Sequence, residues 1–266
     1  MASIANGMAL HGGVIPVLGT FFVFSDYMKP AVRLAALMEL PVKYVWTHDA
    51  FRVGEDGPTH QPVEQEAQIR LLEHLKNHSG ERSMMVLRPA DATETTVAWK
   101  MAIENTATPT ALILSRQGVP DLPARAGSNR YHDALQAERG AYVVQDCQGT
   151  PDVLLVASGS EVATLLAGTI LLEEKHKLKV KVVSVISEGV FRSQDAAYQE
   201  QVIPAGVPVF GMTAGLPVTL QGLVGATGKV FGLESFGYSA PYKVLDEKLG
   251  FTGENVLNQV SQMLGI

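Results

Sequence analysis

The sequence predicts an α/β fold with two open-sheet domains. Short apolar runs alternate with longer amphipathic segments along most of the chain, which is typical of a largely parallel sheet covered by helices. The alternation is interrupted once, over 117–140, where prolines, glycines and scattered charges replace the apolar pattern. We therefore expect one α/β domain over 1–145 and a second over 146–266.

In the first domain, strands and helices are predicted to alternate. The helix expected over 27–40 has Ala31, Leu34, Ala35 and Met38 on one face. The next helix, over 62–78, begins with a proline suited to a first turn and is followed by Gly80. The remaining expected elements are strands over 14–18, 43–47, 84–87 and 110–115 and a helix over 92–104.

The second domain repeats this alternation. Strands are expected over 152–157, 180–185, 207–211 and 229–233, and helices over 161–175, 217–224, 242–249 and 254–264. Between the first strand and helix lies Ser158-Gly159-Ser160-Glu161, which is too short for a dinucleotide-binding fingerprint and lacks the lysine of a P-loop. We interpret Ser160 as a helix N-cap and Glu161 as a first-turn acid.

Composition and charge exclude several classes of protein. The chain has 266 residues, 46% hydrophobic and 18% charged, so it can form a substantial core. A net charge of −6 without a basic stripe argues against a nucleic-acid partner, and no apolar run is long enough to span a membrane. The N-terminus lacks the pattern of a signal peptide. Cys147 is the only cysteine, so no internal disulfide can form and a cytoplasmic location is expected.

Polar residues follow the strand predicted over 43–47. His48 comes directly after it, and the stretch 54–61, GEDGPTHQ, adds Asp56 and His60. The carboxyl end of a parallel strand is where open α/β sheets place ligand chemistry. Carboxylates and imidazoles there could bind a polyhydroxylated, charged substrate through directional hydrogen bonds, whereas the simpler interpretation is a solvated turn.

Two further patterns have both a functional and a structural interpretation. Phe21, Phe24 and Tyr27 recur every three residues and could form a slot for a flat heteroaromatic ring, or they could pack in the core. Arg116 follows the strand over 110–115, where its fork of donors would match phosphate oxygens, or it could be an ordinary surface arginine.

Several of these segments resemble the transketolase family. The similarity lies in Thr47-His48-Asp49 with GEDGPTHQP, in the aromatic segment 19–27, and in Ser115-Arg116-Gln117. It is strongest over 1–117 and weaker after 146. Segments 88–91, 158–161 and 236–241 also resemble family segments and are interpreted as structural, with Asp91 near a helix start and Tyr238 where the family has a glutamate.

The resemblance implies a pyrimidine-binding domain followed by a transketolase C-terminal domain. It implies transfer of a two-carbon ketol unit between sugar phosphates in the pentose phosphate pathway, by a homodimer that uses thiamine diphosphate and a divalent metal, Mg or Ca. Phe21, Phe24 and Tyr27 would bind the aminopyrimidine, with Phe24 stacking on it. His48 and Arg116 would bind the sugar phosphate, Asp56 would bind a substrate hydroxyl, and His60 would act near the reacting carbon.

Other features of the family have no match in this sequence. There is no GDG-type segment followed by an asparagine ligand, and no residue matches the glutamate that activates the cofactor. His48 and His60 have no third ligand at a persuasive spacing, so no metal site is expected in the chain. The other five histidines are interpreted as core or surface residues. We therefore expect a transketolase fragment with an N-terminally incomplete pyrimidine domain, which is inactive alone.

Two alternatives remain open for the function. One is a dihydroxyacetone synthase-type transferase, which shares the loop and uses formaldehyde as acceptor. The other is a non-catalytic fragment that retains only a surface for dimerisation or interaction. Deoxyxylulose phosphate synthases fit the GEDGPTHQP segment less well than transketolases do.

Overall fold

The computed structural model describes all residues, 1–266, as two α/β units. In chain order the elements are α1 (Ala2–His11), β1 (Val17–Phe21), α2 (Ser25–Leu37), β2 (Lys43–Thr47), α3 (Gln65–His74), β3 (Met85–Leu87), α4 (Ala92–Glu104), β4 (Thr110–Leu114), α5 (Arg130–Ala134), β5 (Tyr142–Gln145), β6 (Val153–Ala157), α6 (Glu161–His176), β7 (Val180–Ser184), α7 (Glu188–Arg192), α8 (Ala196–Val202), β8 (Val209–Met212), α9 (Val218–Val224), β9 (Lys229–Phe231), α10 (Tyr242–Leu249) and α11 (Gly253–Leu264).

The first sheet has four parallel strands in the order β1-β2-β4-β3. Its register aligns the carboxyl ends of three neighbouring strands, because Phe21 lies opposite Thr47 and Thr47 lies opposite Leu114. Residues that follow β1, β2 and β4 therefore emerge side by side at one edge of the sheet. The two-domain α/β fold expected from the sequence is confirmed.

The second sheet has the order β5-β7-β6-β8-β9. Its last four strands are parallel, and β5 pairs antiparallel with β7 at one edge. Because β5 spans Tyr142–Gln145, the second sheet begins on the N-terminal side of the division expected between 145 and 146.

Several expected elements lie elsewhere or were missed. The first strand runs over 17–21 rather than 14–18, after the positive-φ pair Gly12 and Gly13 that follows α1. Helix α3 is shorter than 62–78, because the chain after it turns back and Lys76 bridges to Arg82. Helices α1, α5, α7 and α8 and strand β5 were not predicted.

Helix α2 buries a face that matches the expected one only at Ala31 and Ala35. Ala31, Val32, Ala35 and Ala36 are buried, whereas Leu34 and Met38 are exposed. The side chain of Asn6 on α1 donates to the Ala31 carbonyl over 2.8 Å, which connects the two helices. The small alanines allow this close packing, so the larger residues are left outside.

One apolar cluster spans the two domains. The largest cluster of buried apolar side chains contains residues from both sheets, and the rings of Phe51 and Phe251 meet there with centroids 4.7 Å apart. Such continuous burial is expected to keep the relative position of the two domains fixed. No helix of the structure combines the length and the apolar composition that a membrane crossing requires.

Candidate functional site

The structure brings predicted site residues together at the aligned strand ends of the first sheet. Phe21 is the last residue of β1, and His48 directly follows β2. Their rings stack with centroids 3.6 Å apart and an interplanar angle of 13°. Arg116 lies two residues beyond the end of β4 and is close enough to His48 to affect its pKa.

The aromatic trio forms a partly open surface beside these strand ends. Phe21 and Phe24 stack with centroids 6.0 Å apart, and Tyr27 lies 6.0 Å beyond Phe24. Both phenylalanines are half-buried and Tyr27 is 85% exposed, whereas the neighbouring Phe22 is fully buried and stacks on Trp46. Core packing therefore accounts for Phe22 and not for the trio.

His60 completes the aromatic cluster. Its ring meets Phe24 edge-on at 5.5 Å and Phe21 at 6.1 Å. Its Nδ1 lies 2.9 Å from the Thr59 hydroxyl, which fixes one nitrogen of the ring. The loop from 54 to 61 thus returns to the strand ends and places an imidazole against the aromatic surface.

His48 has an unusual backbone and a perturbed imidazole. Its φ of 62° lies in the left-handed region, which a residue other than glycine adopts at an energetic cost. The pKa of His48 is lowered, mainly because the imidazole is partly buried and secondly because Arg116 is positively charged. The negative charge of Asp56 raises this pKa but does not outweigh the other two effects. At neutral pH the imidazole is therefore uncharged and can both donate and accept a hydrogen bond.

Asp56 ends a short 3₁₀ segment, Phe51–Asp56, and its side chain is exposed. It forms no ion pair, so its carboxylate remains available to a ligand. The structure therefore brings six predicted residues to one region through direct ring contacts or electrostatic proximity: Phe21, Phe24, His48, Asp56, His60 and Arg116. Tyr27 borders that region through its contact with Phe24.

Sequence reasoning missed a buried network of charges beneath the site. Arg88 donates to Asp49 over 2.7 Å and also pairs with Glu161 of the second domain. Arg52 donates to the same Glu161 over 2.7 Å and to Asp246 over 2.7 Å. The sequence indicates only two ordinary strand-to-helix turns for Arg88 and Glu161, whereas in the structure this pair joins the two turns across the domain interface.

The two arginines of this network offset part of the cost of burying its three carboxylates, although burial still raises the pKa values of Asp49 and Asp246. Burial raises the pKa of Glu161, but Arg88 and Arg52 outweigh burial and hold that pKa below its usual value. Both arginines have charge-assisted hydrogen bonds to buried carboxylates, as buried charges require. Ser160 is the N-cap of α6, but its hydroxyl bonds the Glu161 carboxylate rather than a backbone amide. The network therefore secures the position of Asp49, the neighbour of His48.

The available residues fit a flat heteroaromatic ring and a polar, phosphorylated chain. The partly open Phe21–Phe24 surface offers stacking, and His48, His60, Asp56 and Arg116 supply donors and acceptors around it. No group of three or more His, Cys, Asp or Glu side chains in the structure converges as a metal site.

Two family models match the chain. The transketolase pyrimidine-binding domain matches 1–121, and the transketolase-like C-terminal domain matches 140–252. A transketolase of Staphylococcus aureus (strain MW2) is 43% identical over 99% of this chain. The chain spans 38% of the length of that relative.

Solved structures agree with these matches. A transketolase from Leishmania mexicana has a TM-score of 0.86 and 38% identity, covering 98% of this chain and 36% of that one. A transketolase from Pichia stipitis in complex with sedoheptulose-7-phosphate has a TM-score of 0.87 and 35% identity, covering 100% of this chain and 36% of that one.

Fold and matches together define a pyrimidine-binding α/β domain followed by a C-terminal α/β domain. The chain belongs to the transketolase family.

Proposed function

We propose that this chain provides the pyrimidine-binding and substrate-loop part of a transketolase. The complete enzyme would transfer a two-carbon ketol unit from a ketose phosphate to an aldose phosphate. The observation that supports this most strongly is the cluster of Phe21, Phe24, His48 and His60 at aligned strand ends, beside the exposed carboxylate of Asp56. The chain alone is proposed to be inactive, since it offers no metal-binding group of side chains.

The aromatic surface is proposed to bind the aminopyrimidine ring of thiamine diphosphate. Phe24 stacks on that ring, and Phe21 and Tyr27 border it. When bound, the cofactor supplies an electron sink for cleavage and formation of the carbon–carbon bond. The chain's own contribution is to orient the ring and to exclude water from its face.

The polar residues are proposed to bind and orient the sugar. Arg116 and the neutral His48 bind its phosphate, and Asp56 accepts a hydrogen bond from one hydroxyl. His60, whose ring faces Phe21 and Phe24, moves a proton at the substrate oxygen nearest the reacting carbon. Its Nε2 is the atom for this, because its Nδ1 is bonded to Thr59.

Further properties of the complete enzyme belong to the same proposal. We propose sugar phosphates as substrates, supported by the sugar phosphate in the similar Pichia stipitis structure. A homodimer, a cytoplasmic location, a place in the pentose phosphate pathway and a divalent Mg or Ca ion complete it. The ligands of that ion and of the diphosphate would come from outside this chain.

The test uses the intact enzyme that contains this chain. Ketol transfer between sugar phosphates should require thiamine diphosphate and a divalent metal. Phe24→Ala should raise the KM for the cofactor by about fivefold to a hundredfold, because loss of stacking removes about 1–3 kcal/mol. Tyr131→Ala, which removes an exposed aromatic ring of α5, is the control. Formaldehyde as the preferred acceptor would instead identify a dihydroxyacetone synthase, and the absence of any transfer would leave the non-catalytic alternative.

A further inference from the structure

The loop that carries Asp56 and His60 is bonded to the second domain near both of its ends. Before the loop, Arg52 donates to Asp246 over 2.7 Å, to Glu161 over 2.7 Å and to the Ser160 hydroxyl over 2.9 Å. All three acceptors belong to the second domain, and Arg52 is buried. The start of the loop is therefore fixed by charge-assisted bonds from a buried guanidinium, and the bonds to Glu161 and Ser160 are themselves buried.

The rest of the loop contacts the segment 236–241, which the sequence suggested was structural. Gln61 donates through Nε2 to the Tyr238 carbonyl over 2.9 Å and, within the loop, to the Gly54 carbonyl over 3.1 Å. Ser239 donates to the Glu55 carbonyl over 2.6 Å. The backbone before Asp56 is thus bonded to Ser239 of the second domain, and the Gln61 side chain after it is bonded to the Tyr238 carbonyl.

The glycines at this contact leave little room for movement. Gly54 and Gly57 have φ values of 86° and 76°, which favour glycine. A Cβ at Gly57 would lie 3.3 Å from the Ser239 Cβ, and one at Gly54 would lie 3.4 Å from the Ala240 carbonyl oxygen. A Cβ at Gly237 would lie 2.1 Å from the Gln61 Oε1, so the two segments fit closely only without side chains at these positions.

The functional side chains of the loop do not share these bonds. Asp56 is exposed and His60 is half-buried, and neither side chain bonds to the second domain. The positions of Asp56 and His60 therefore depend on the loop backbone, which is fixed by the hydrogen bonds of Arg52, Gln61 and Ser239. A loop fixed in this way presents a carboxylate and an imidazole to a ligand with little loss of entropy on binding.

We propose that the second domain positions the substrate loop of the first, with Arg52, Gln61 and Ser239 as positioning residues. None of the three needs to touch substrate or cofactor. The inference rests on the proposed function in one respect, since Asp56 and His60 must be the residues that meet the sugar. It gives the C-terminal domain a role in turnover.

The direct test is amide hydrogen exchange in the chain. The Gly57 amide donates to the Gly54 carbonyl and the His60 amide to the Gly57 carbonyl, so both report the loop's conformation. Ser239→Ala should speed exchange at both amides about fivefold, while β4 amides stay unchanged. The matched control is Ser193→Ala, which removes a 2.8 Å bond from a serine hydroxyl to the Val190 carbonyl elsewhere in the second domain.

A second variant is included because Ser239 is exposed, so that its substitution could change amide exchange only slightly. Gln61→Met removes both amide bonds at similar side-chain volume and should speed loop exchange tenfold or more. Unchanged exchange at Gly57 and His60 in both variants would overturn the proposal, as would an equal effect of Ser193→Ala.

The kinetic counterpart uses the intact enzyme. Ser239→Ala and Gln61→Met should lower kcat/KM for the sugar while leaving the KM for thiamine diphosphate unchanged. Variants in which the loop amides exchange faster but kcat/KM is unaltered would also overturn the proposal. A wild-type enzyme without ketol transfer would overturn the proposed function alone, because the exchange measurement involves no sugar.

Discussion

At the scale of single residues, His48 and Asp49 show how one turn serves two purposes. His48 stacks on Phe21 at the candidate site, and Asp49 is buried and bonded to Arg88. The left-handed backbone of His48 directs these neighbouring side chains into different surroundings. The bond to Arg88 secures a backbone conformation that would otherwise be unfavourable.

Lys43 is a buried lysine whose charge should make stability depend on pH. It is 1% exposed, donates to the Asn105 carbonyl, and burial lowers its pKa to about 8. Between that pH and about 10.5 the unfolded chain binds more protons than the folded one, so stability should rise with pH across this window. Lys43→Met should remove this rise and increase the free energy of unfolding at pH 7.5 by about 2 kcal/mol.

Urea unfolding at pH 7.5, 8.5 and 9.5 measures this effect. Lys175→Met, which removes an exposed lysine of α6, is the control and should leave the pH dependence as in the wild type. A Lys43→Met protein that is less stable than the wild type at pH 7.5 would show that the bond to Asn105 outweighs the cost of burying the charge.

The sequence was informative for residues whose role is local. Asp91 was expected near a helix start, and it caps α4 by accepting from the Glu94 amide over 2.7 Å. The buried pairing of Arg88 with Glu161 was not foreseen. Those residues are separated by 73 positions, and nothing in either local segment distinguishes a buried charge from a surface one.

At the scale of elements, strands and helices with a clear local pattern were predicted well. β2 and α4 have the bounds expected from the sequence, and α10 does too. α1 was missed because its outer face carries exposed apolar residues such as Ile4, Met8 and Leu10, so it shows no amphipathic period. α7 and α8 are too short to show a helical period.

The N-cap residue of α4, Asp91, should contribute more to the free energy of unfolding than an ordinary N-cap does. The buried Asp91 side chain also accepts from the Leu122 amide over 3.0 Å and from Arg130 over 2.6 Å. Asp91→Ala should therefore lower the free energy of unfolding by about 3 kcal/mol, because it leaves Arg130 without its nearest carboxylate. Thr252→Ala, which removes the cap of α11, should lower it by only about 1 kcal/mol. Equal losses in denaturant unfolding would mean that the Arg130 contact contributes nothing.

At the scale of the whole molecule, the two domains depend on each other. They share an apolar core and the buried network around Glu161. The sequence predicted two domains but gave no sign of this coupling, because the contacts join distant parts of the chain. The prolines and scattered charges over 117–140 predict a connector between the domains, yet the domains on either side of it pack closely.

Glu161→Gln should reveal this coupling. It replaces a buried carboxylate shared by Arg52 and Arg88, so the free energy of unfolding should fall by about 3 kcal/mol. Trp46 and Trp99 both lie in the first domain, whereas Glu161 lies in the second. If the domains unfold together, tryptophan fluorescence should show the lower free energy of unfolding of Glu161→Gln. Glu104→Gln, at an exposed pair with Lys100, should change stability by less than about 0.5 kcal/mol. A tryptophan transition unchanged by Glu161→Gln would indicate independent unfolding.

The central claim is that the loop of the first domain recognises a sugar phosphate. It is tested most directly by kcat/KM of the intact enzyme for two ketose phosphate donors that differ only in the configuration of one hydroxyl. Asp56→Ala should lower kcat/KM for the preferred donor by about one to two powers of ten, since a hydrogen bond to a charged group is worth roughly 1.5–3 kcal/mol. For the other donor, kcat/KM should change little. Glu55→Ala, which removes the neighbouring exposed carboxylate, should leave kcat/KM for both donors unchanged. Equal losses on the two donors, or an equal effect of Glu55→Ala, would contradict the account.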